Sequence, residues 1–228
     1  VVERRLINYV NNGELCLIAG VKDVGKTSFL LTLAEELQMI NVRNRVFYYY
    51  YSINDDISDI SDLDTETFVT TNISELPYQT RHMIIGTVGL VRMPDLCAML
   101  IDDYRSFLRT EEFRNNNMAK SEKILYLLTR FKTLAEVADI PVIITCDVDD
   151  DYIWGRDEKR PMLCDIPDHE YVEQIVDRVI LLHRDEVFDY ETEHQGTAEM
   201  KICDLGCGMN CEVMLGFLSN ERRFYVPM

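Results

Sequence analysis

No apolar stretch in this chain is long enough to span a bilayer, and no basic flank followed by a short apolar segment opens it: VVERRLINYV mixes charge and hydrophobicity from the start. The first absence argues against a membrane helix; the second predicts that no secretory leader is present. The first residue is Val rather than Met, so a piece cut from a longer protein is expected. Repeats, low-complexity linkers and abrupt shifts of composition are missing as well, and residues 1–228 are expected to form one domain. Basic residues are scarce, 23 Lys and Arg against 40 Asp and Glu, for a formal net charge of −17. Such a surface repels phosphate backbones at long range, so nucleic acid would need a locally basic channel; a solvated acidic surface is the plainer explanation of the charge.

What is present is an ordinary globular composition, 47% hydrophobic and 28% charged. The seven cysteines are odd in number and scattered, which fits reduced thiols in a cytoplasm better than a disulfide framework. Residues 13–19 (GELCLIA) read as a buried strand, and SFLLTLAEELQM carries Phe29, Leu30, Leu33 and Leu37 at helical spacing. RVFYYYY at 45–51 reads as a second buried strand. The acidic stretch 54–75 reads as short helical or turn segments. LCAMLI at 96–101 ends in Asp102 and Asp103 and suits a strand buried on both faces of a parallel sheet. Residues 121–138 place Ile124, Leu127, Leu128, Phe131, Leu134 and Val137 on one helical face, IPVIIT at 140–145 is another strand, and a polar loop runs from Asp147 to about Leu163. A helix at about 168–176 and strands at 178–183, 198–203 and 212–217 complete an α/β pattern with an antiparallel edge.

Between the first strand and the first helix lies Gly20-Val21-Lys22-Asp23-Val24-Gly25-Lys26-Thr27, which fits G-x-x-x-x-G-K-[ST], with Ser28 following. Glycines at both ends let the backbone curl its N–H groups inward at phosphate oxygens, and the helix that starts here adds its positive end. Lys26 is expected to reach the β- and γ-phosphates, Thr27 to place its hydroxyl on Mg²⁺, and Asp102 to hold that metal through water, with Asp103 as a competitor.

With these residues in hand, the chain resembles the C-terminal ATPase domain of DnaB-type replicative DNA helicases. The likeness is carried by DIPVIIT, by KRPMLCDI, by VEQIVDRVILLHRDEVFDYET and by GTAEMKI, in that order, with about 54–95 poorly covered. It implies a RecA-like P-loop fold, with a mainly parallel sheet flanked by helices and antiparallel strands at the C-terminal edge. It also implies ATP and Mg²⁺ as cofactors, a hexameric ring of identical subunits as the assembly, and single-stranded DNA as a partner. Lys26 and Thr27 match the family's ATP and magnesium ligands and Asp102 its Walker B aspartate; Arg184, Asp185 and Glu186 match a recurrent motif of structural or near-site character.

The departures from the family fall at positions that perform its chemistry. Asn54 stands where the catalytic glutamate is aligned, with Asp55 and Asp56 next to it, and an amide cannot serve as general base. Asp147 stands at the glutamine that senses the γ-phosphate. Asp204 and Gly206 stand where a lysine and an arginine finger are aligned, and such a finger is typically worth about 10³–10⁵ in rate. Two readings follow: a helicase domain that hydrolyses ATP and moves on DNA, or a nucleotide-binding descendant serving assembly or regulation through protein partners. Arg156, Lys159, Arg160, Tyr152 and Trp154 are either candidates for DNA contact or parts of an acidic, mobile loop with an incidental aromatic pair. Cys203, Cys207 and Cys211, with Cys164 or His169 as a fourth, are either zinc ligands or small residues filling a strand–loop–strand junction. The run Tyr48, Tyr49, Tyr50 and Tyr51 reads as buried strand, and His183 as packing at a strand end.

Overall fold

The computed structural model describes residues 5–40, 45–50, 68–72 and 96–227. Nine strands form one sheet: β1 (Leu15–Gly20), β2 (Arg45–Tyr50), β3 (Phe68–Asn72), β4 (Leu96–Ile101), β5 (Val142–Asp147), β6 (Arg178–His183), β7 (Thr197–Asp204), β8 (Asn210–Leu218) and β9 (Arg223–Tyr225). The helices are α1 (Lys26–Ile40), the single turn α2 (Glu111–Arg114), α3 (Lys120–Ala138), α4 (Asp150–Gly155) and α5 (His169–Ile175). The strands lie in the order β3-β2-β4-β5-β1-β6-β7-β8-β9. Those from β3 to β6 pair in parallel and those from β6 to β9 antiparallel. This is the RecA-like layout, a parallel sheet with an antiparallel flank.

Every residue of β1 is buried, as are the first five of β5. Successive side chains point to opposite faces, so both faces of these strands are covered. Helix α1 packs against β1, β2 and β9 and helix α3 against β1 and β5. In α3 the buried residues Ile124, Leu127, Leu128, Phe131, Leu134 and Ala135 recur at helical spacing, and Phe107 meets Phe131 edge-on at 5.7 Å. Val137, expected on that face, is 54% exposed, because Ala135 takes the last inward turn before Asp139 enters the left-handed region and stops the helix.

Two further expectations need correcting. Residues 68–72, expected as turn or helix, form β3, since their β-branched and aromatic side chains suit a strand along the edge of β2. The C-terminal strand β9 is an addition to the expected elements; three residues are too short to show a period. Asn54, Asp55, Asp56 and Tyr51 lie outside the described residues, while Tyr48, Tyr49 and Tyr50 sit in β2 between β3 and β4. Among the described residues no helix is long and apolar enough to cross a membrane.

The topology decides where a ligand fits. The connection leaving β1 runs to β2, on one side of the sheet. The connection leaving the adjacent β5 crosses to β6, on the other side. Neighbouring strands whose crossovers part in this way open a crevice at their C-terminal ends, which here are Gly20 and Asp147.

Candidate functional site

The loop between β1 and α1 occupies that crevice. A Cβ on Gly20 would lie 2.8 Å from the Leu182 carbonyl oxygen, so only glycine lets the loop leave the strand here. Gly25 has φ 105°, and a Cβ on it would meet the Phe224 ring at 3.0 Å. The loop is thus backed by the antiparallel flank. Phe224 tilts against Phe29 at 5.7 Å, and its backbone N–H donates to Thr32 at 3.2 Å. Arg184 lies over the Phe217 ring at 3.7 Å and donates to the Val24 carbonyl at 3.2 Å, while Glu186 accepts from its Nε at 2.8 Å. This gives the Arg184, Asp185 and Glu186 motif a role: Arg184 and Glu186 brace the loop, and Asp185 bonds the His183 imidazole at 2.8 Å. His183 is buried and stacked on Phe188 at 5.4 Å.

On the inner side of the loop, Thr27 donates its hydroxyl to Asp102 Oδ2 at 2.6 Å, and Thr145 donates to Asp102 Oδ1 at 2.8 Å. The buried Thr145 hydroxyl in turn accepts from the Asp103 backbone N–H at 2.7 Å. Asp102 is therefore aimed at the start of α1 by two hydroxyls. Asp103 turns away into a left-handed conformation, where its side chain caps the next turn by accepting from the Arg105 N–H at 3.1 Å. Burial pushes the Asp103 carboxyl above the usual range. Sequence reasoning misses Thr145, although its signal is visible: a single hydroxyl inside an otherwise apolar strand.

Lys26 is 10% exposed and donates to the Gly20 and Val21 carbonyls at 3.1 and 2.7 Å. Its ammonium also pairs with Asp147 Oδ1 at 2.6 Å. Further along, burial raises the Asp150 carboxyl and the charge of Asp147 adds to the rise, against a hydrogen bond from the Lys22 backbone. Asp150 Oδ1 is buried with no hydrogen-bond partner among the described residues. Gly20, Val21, Lys22, Asp23, Val24 and Gly25 thus form the turn between β1 and α1, and Lys26, Thr27 and Ser28 open α1. A hydroxyl–carboxylate pair at that junction is of the hard-oxygen chemistry that suits Mg²⁺.

The other candidates are not brought to this site as free groups. The expected polar loop after Asp147 contains helix α4, and its basic residues are engaged internally. Arg156 grips both oxygens of Asp165 at 2.9 and 2.7 Å, Arg160 holds Glu199 at 2.5 Å, and Lys159 donates to the Trp154 and Arg156 carbonyls. Trp154 leans on Phe188 at 4.8 Å, while Tyr152 is 72% exposed. Asp204 closes the β7–β8 turn, accepting from the Gly206 and Cys207 N–H groups at 3.1 and 2.9 Å, and it pairs with Arg178 at 3.2 Å. No group of three or more His, Cys, Asp or Glu able to hold a metal ion occurs among the described residues, Cys203, Cys207, Cys211, Cys164 and His169 included. All seven cysteines are unbridged, and burial pushes the Cys16 and Cys146 thiols up to about 12.

The sequence profile of the DnaB-like helicase C terminal domain matches residues 53–226, most of the chain, beginning some way beyond the P-loop. The chain belongs to this family. Among curated relatives of the DnaB-like domain, the replicative DNA helicase DnaC of Bacillus subtilis (strain 168) is 22% identical over 241 residues, covering 92% of this chain and 52% of that protein. The chain thus spans about half the length of the curated relatives it matches. Among the solved structures that share the fold are two of different kinds. A DnaB-like replicative helicase solved for its interactions with primase has a TM-score of 0.75 at 17% identity, over 96% of this chain and 58% of that one. The RadB recombinase has a TM-score of 0.64 at 14% identity, over 99% and 97%.

Proposed function

We propose that this DnaB-like domain binds ATP with Mg²⁺ at residues 20–28 and uses nucleotide occupancy for assembly or partner control rather than for motor work. The observation that carries the binding reading is the Thr27–Asp102–Thr145 chain beside Lys26, which sets a carboxylate held by two hydroxyls and an ammonium where the glycine-bounded turn enters α1. Lys26 would contact the outer phosphates, Thr27 and Asp102 would hold the cation, and the loop N–H groups would cradle the remaining oxygens. Bound Mg²⁺ would supply charge neutralisation on the phosphates. Thr145 keeps Asp102 aimed, and Arg184 keeps the loop curled.

The non-motor half of the reading is favoured by how the basic residues of the α4 region are used. Arg156, Lys159 and Arg160 are engaged by groups of the same chain, and the chain's net charge of −17 opposes a phosphate backbone. Asp204 and Gly206 build a turn and carry no cation to a neighbouring site. A homo-oligomeric ring, and a protein partner of the kind that primase is to the solved relative, are the assemblies in which such occupancy would be read out. A cytoplasmic setting accompanies this proposal.

Titration calorimetry with Mg–ATP, together with hydrolysis assays with and without single-stranded DNA, tests it. Binding at micromolar to millimolar affinity with turnover well below about 1 s⁻¹, an ordinary enzyme rate, is expected. DNA-stimulated turnover above that value would restore the motor.

A further inference from the structure

We propose that Asp147 stands in for the terminal phosphate of the nucleotide, so that this site takes a magnesium–nucleoside diphosphate in preference to the triphosphate; the proposal rests on the nucleotide reading above. A P-loop lysine ordinarily spans the last two phosphates of a triphosphate. Here half of that role is already filled from within the chain, by an Asp147 oxygen 2.6 Å from the Lys26 ammonium.

The position of Asp147 is set by the sheet. It is in register with Gly20, the first residue of the turn, and the next residue, Val148, donates its N–H to the Gly20 carbonyl at 3.2 Å. Two residues on, the Asp149 N–H donates to the Asp165 carbonyl at 2.9 Å, and Arg156 holds the Asp165 carboxylate with two nitrogens. The backbone on the α4 side is therefore tied, and the carboxylate is held within reach of the lysine. As a stabilising device the pair is poor, because Asp147 is 59% exposed and half-exposed ion pairs contribute little. As an anion at a phosphate position it is well placed.

A diphosphate ends before that position and leaves the Asp147–Lys26 contact in place. A triphosphate must either push Asp147 off the lysine or set its last phosphate against a fixed negative charge. Asp150, three residues on at the start of α4, adds to the same field with a buried oxygen that has no hydrogen-bond partner among the described residues. A cation held by Thr27 and Asp102 offsets charge on either nucleotide, so the difference of one phosphate remains.

The test is calorimetric titration of the chain with Mg–ADP and Mg–ATP, repeated on Asp147→Asn and Asp147→Glu after circular dichroism has established that each is folded. ADP is expected to bind about tenfold more tightly than ATP, the scale of one screened charge contact. Asp147→Asn should raise the ATP affinity to that of ADP or beyond, and Asp147→Glu, which keeps the charge, should retain the preference for ADP. Tighter binding of ATP by the unmodified chain, or a preference unchanged in Asp147→Asn, overturns the proposal and leaves the nucleotide site standing. Flat titrations with both nucleotides on folded protein remove the nucleotide reading and this proposal together.

Discussion

At the N-terminal ends of the parallel strands, Lys132 holds both oxygens of Asp177 at 2.8 Å, Asp177 also accepts the Leu15 N–H at 2.7 Å, and Arg178 reaches the Tyr9 carbonyl, Asp204 and Glu14. At the opposite ends, Lys26 stands near Asp102, Asp147 and Asp150, and its contacts are two loop carbonyls and one half-exposed carboxylate. The two poles draw on the same residue types. In the lower one, cations, carboxylates and backbone groups tie α3, β1, β6 and β7 together. In the upper one, hydroxyls aim a carboxylate outward, and the lysine rests on contacts that are easily exchanged. A part-buried network that joins strand starts to a helix fixes the fold, whereas a lysine resting on exchangeable contacts beside carboxylates has the make-up of a binding site.

Mutations can break or sharpen that contrast. The largest effect expected is on binding: Lys26→Ala should weaken Mg–nucleotide affinity by at least about a hundredfold, roughly 2.7 kcal/mol, while the thermal midpoint of the free protein hardly moves. Next, Asp177→Ala should lower unfolding free energy by about 2 kcal/mol in urea titrations, because it strands the Leu15 N–H and leaves the Lys132 ammonium with only Glu136 and the Gly13 carbonyl, and nucleotide affinity should stay as it was. Equal loss of affinity in both variants would erase the distinction between the poles. A smaller change is expected for Asp102→Asn, which should weaken nucleotide binding about tenfold in magnesium and hardly at all in EDTA.

The smallest effect concerns acid. Hydrogen bonds from Cys207, with help from Arg178, hold the Asp204 carboxyl below its ordinary 3.8. A lowered folded value means that the stabilisation is fully present above 3.8 and is lost as the pH falls through the folded value. Asp204→Asn should therefore lower stability slightly at neutral pH and flatten the acid limb of the stability profile below about pH 4, read by denaturant midpoints across pH.

The upper pole is the more legible in the sequence because its chemistry is local. A glycine-spaced loop ending in Lys26 and Thr27 needs only its flanking strand and helix to be recognised, and LCAMLI followed by Asp102 needs only a buried strand before an acid. The lower pole is invisible there, since Lys132 and Asp177 are 45 residues apart and Leu15 lies 162 residues from Asp177. Periodicity places most strands and both long helices. It misjudges residues 68–72, where an acidic context masks a short strand, and it overlooks β9, whose three residues are held by pairing with β8 rather than by their own pattern. The basic residues around α4 stay undecided in the sequence because it does not reveal that Asp165 and Glu199 fold back onto Arg156 and Arg160.

The ring of Phe224, seated behind Gly25, carries a practical lesson for anyone handling this molecule. Its backbone is hydrogen-bonded to Thr32 across 192 positions of sequence, so the tail of the chain and the cradle at its head behave as one part. Trimming the last strand, or hanging a bulky label beside it, would loosen the cradle from behind without altering a single residue of the motif. A clone shortened in that way would look inactive for a reason that has nothing to do with chemistry.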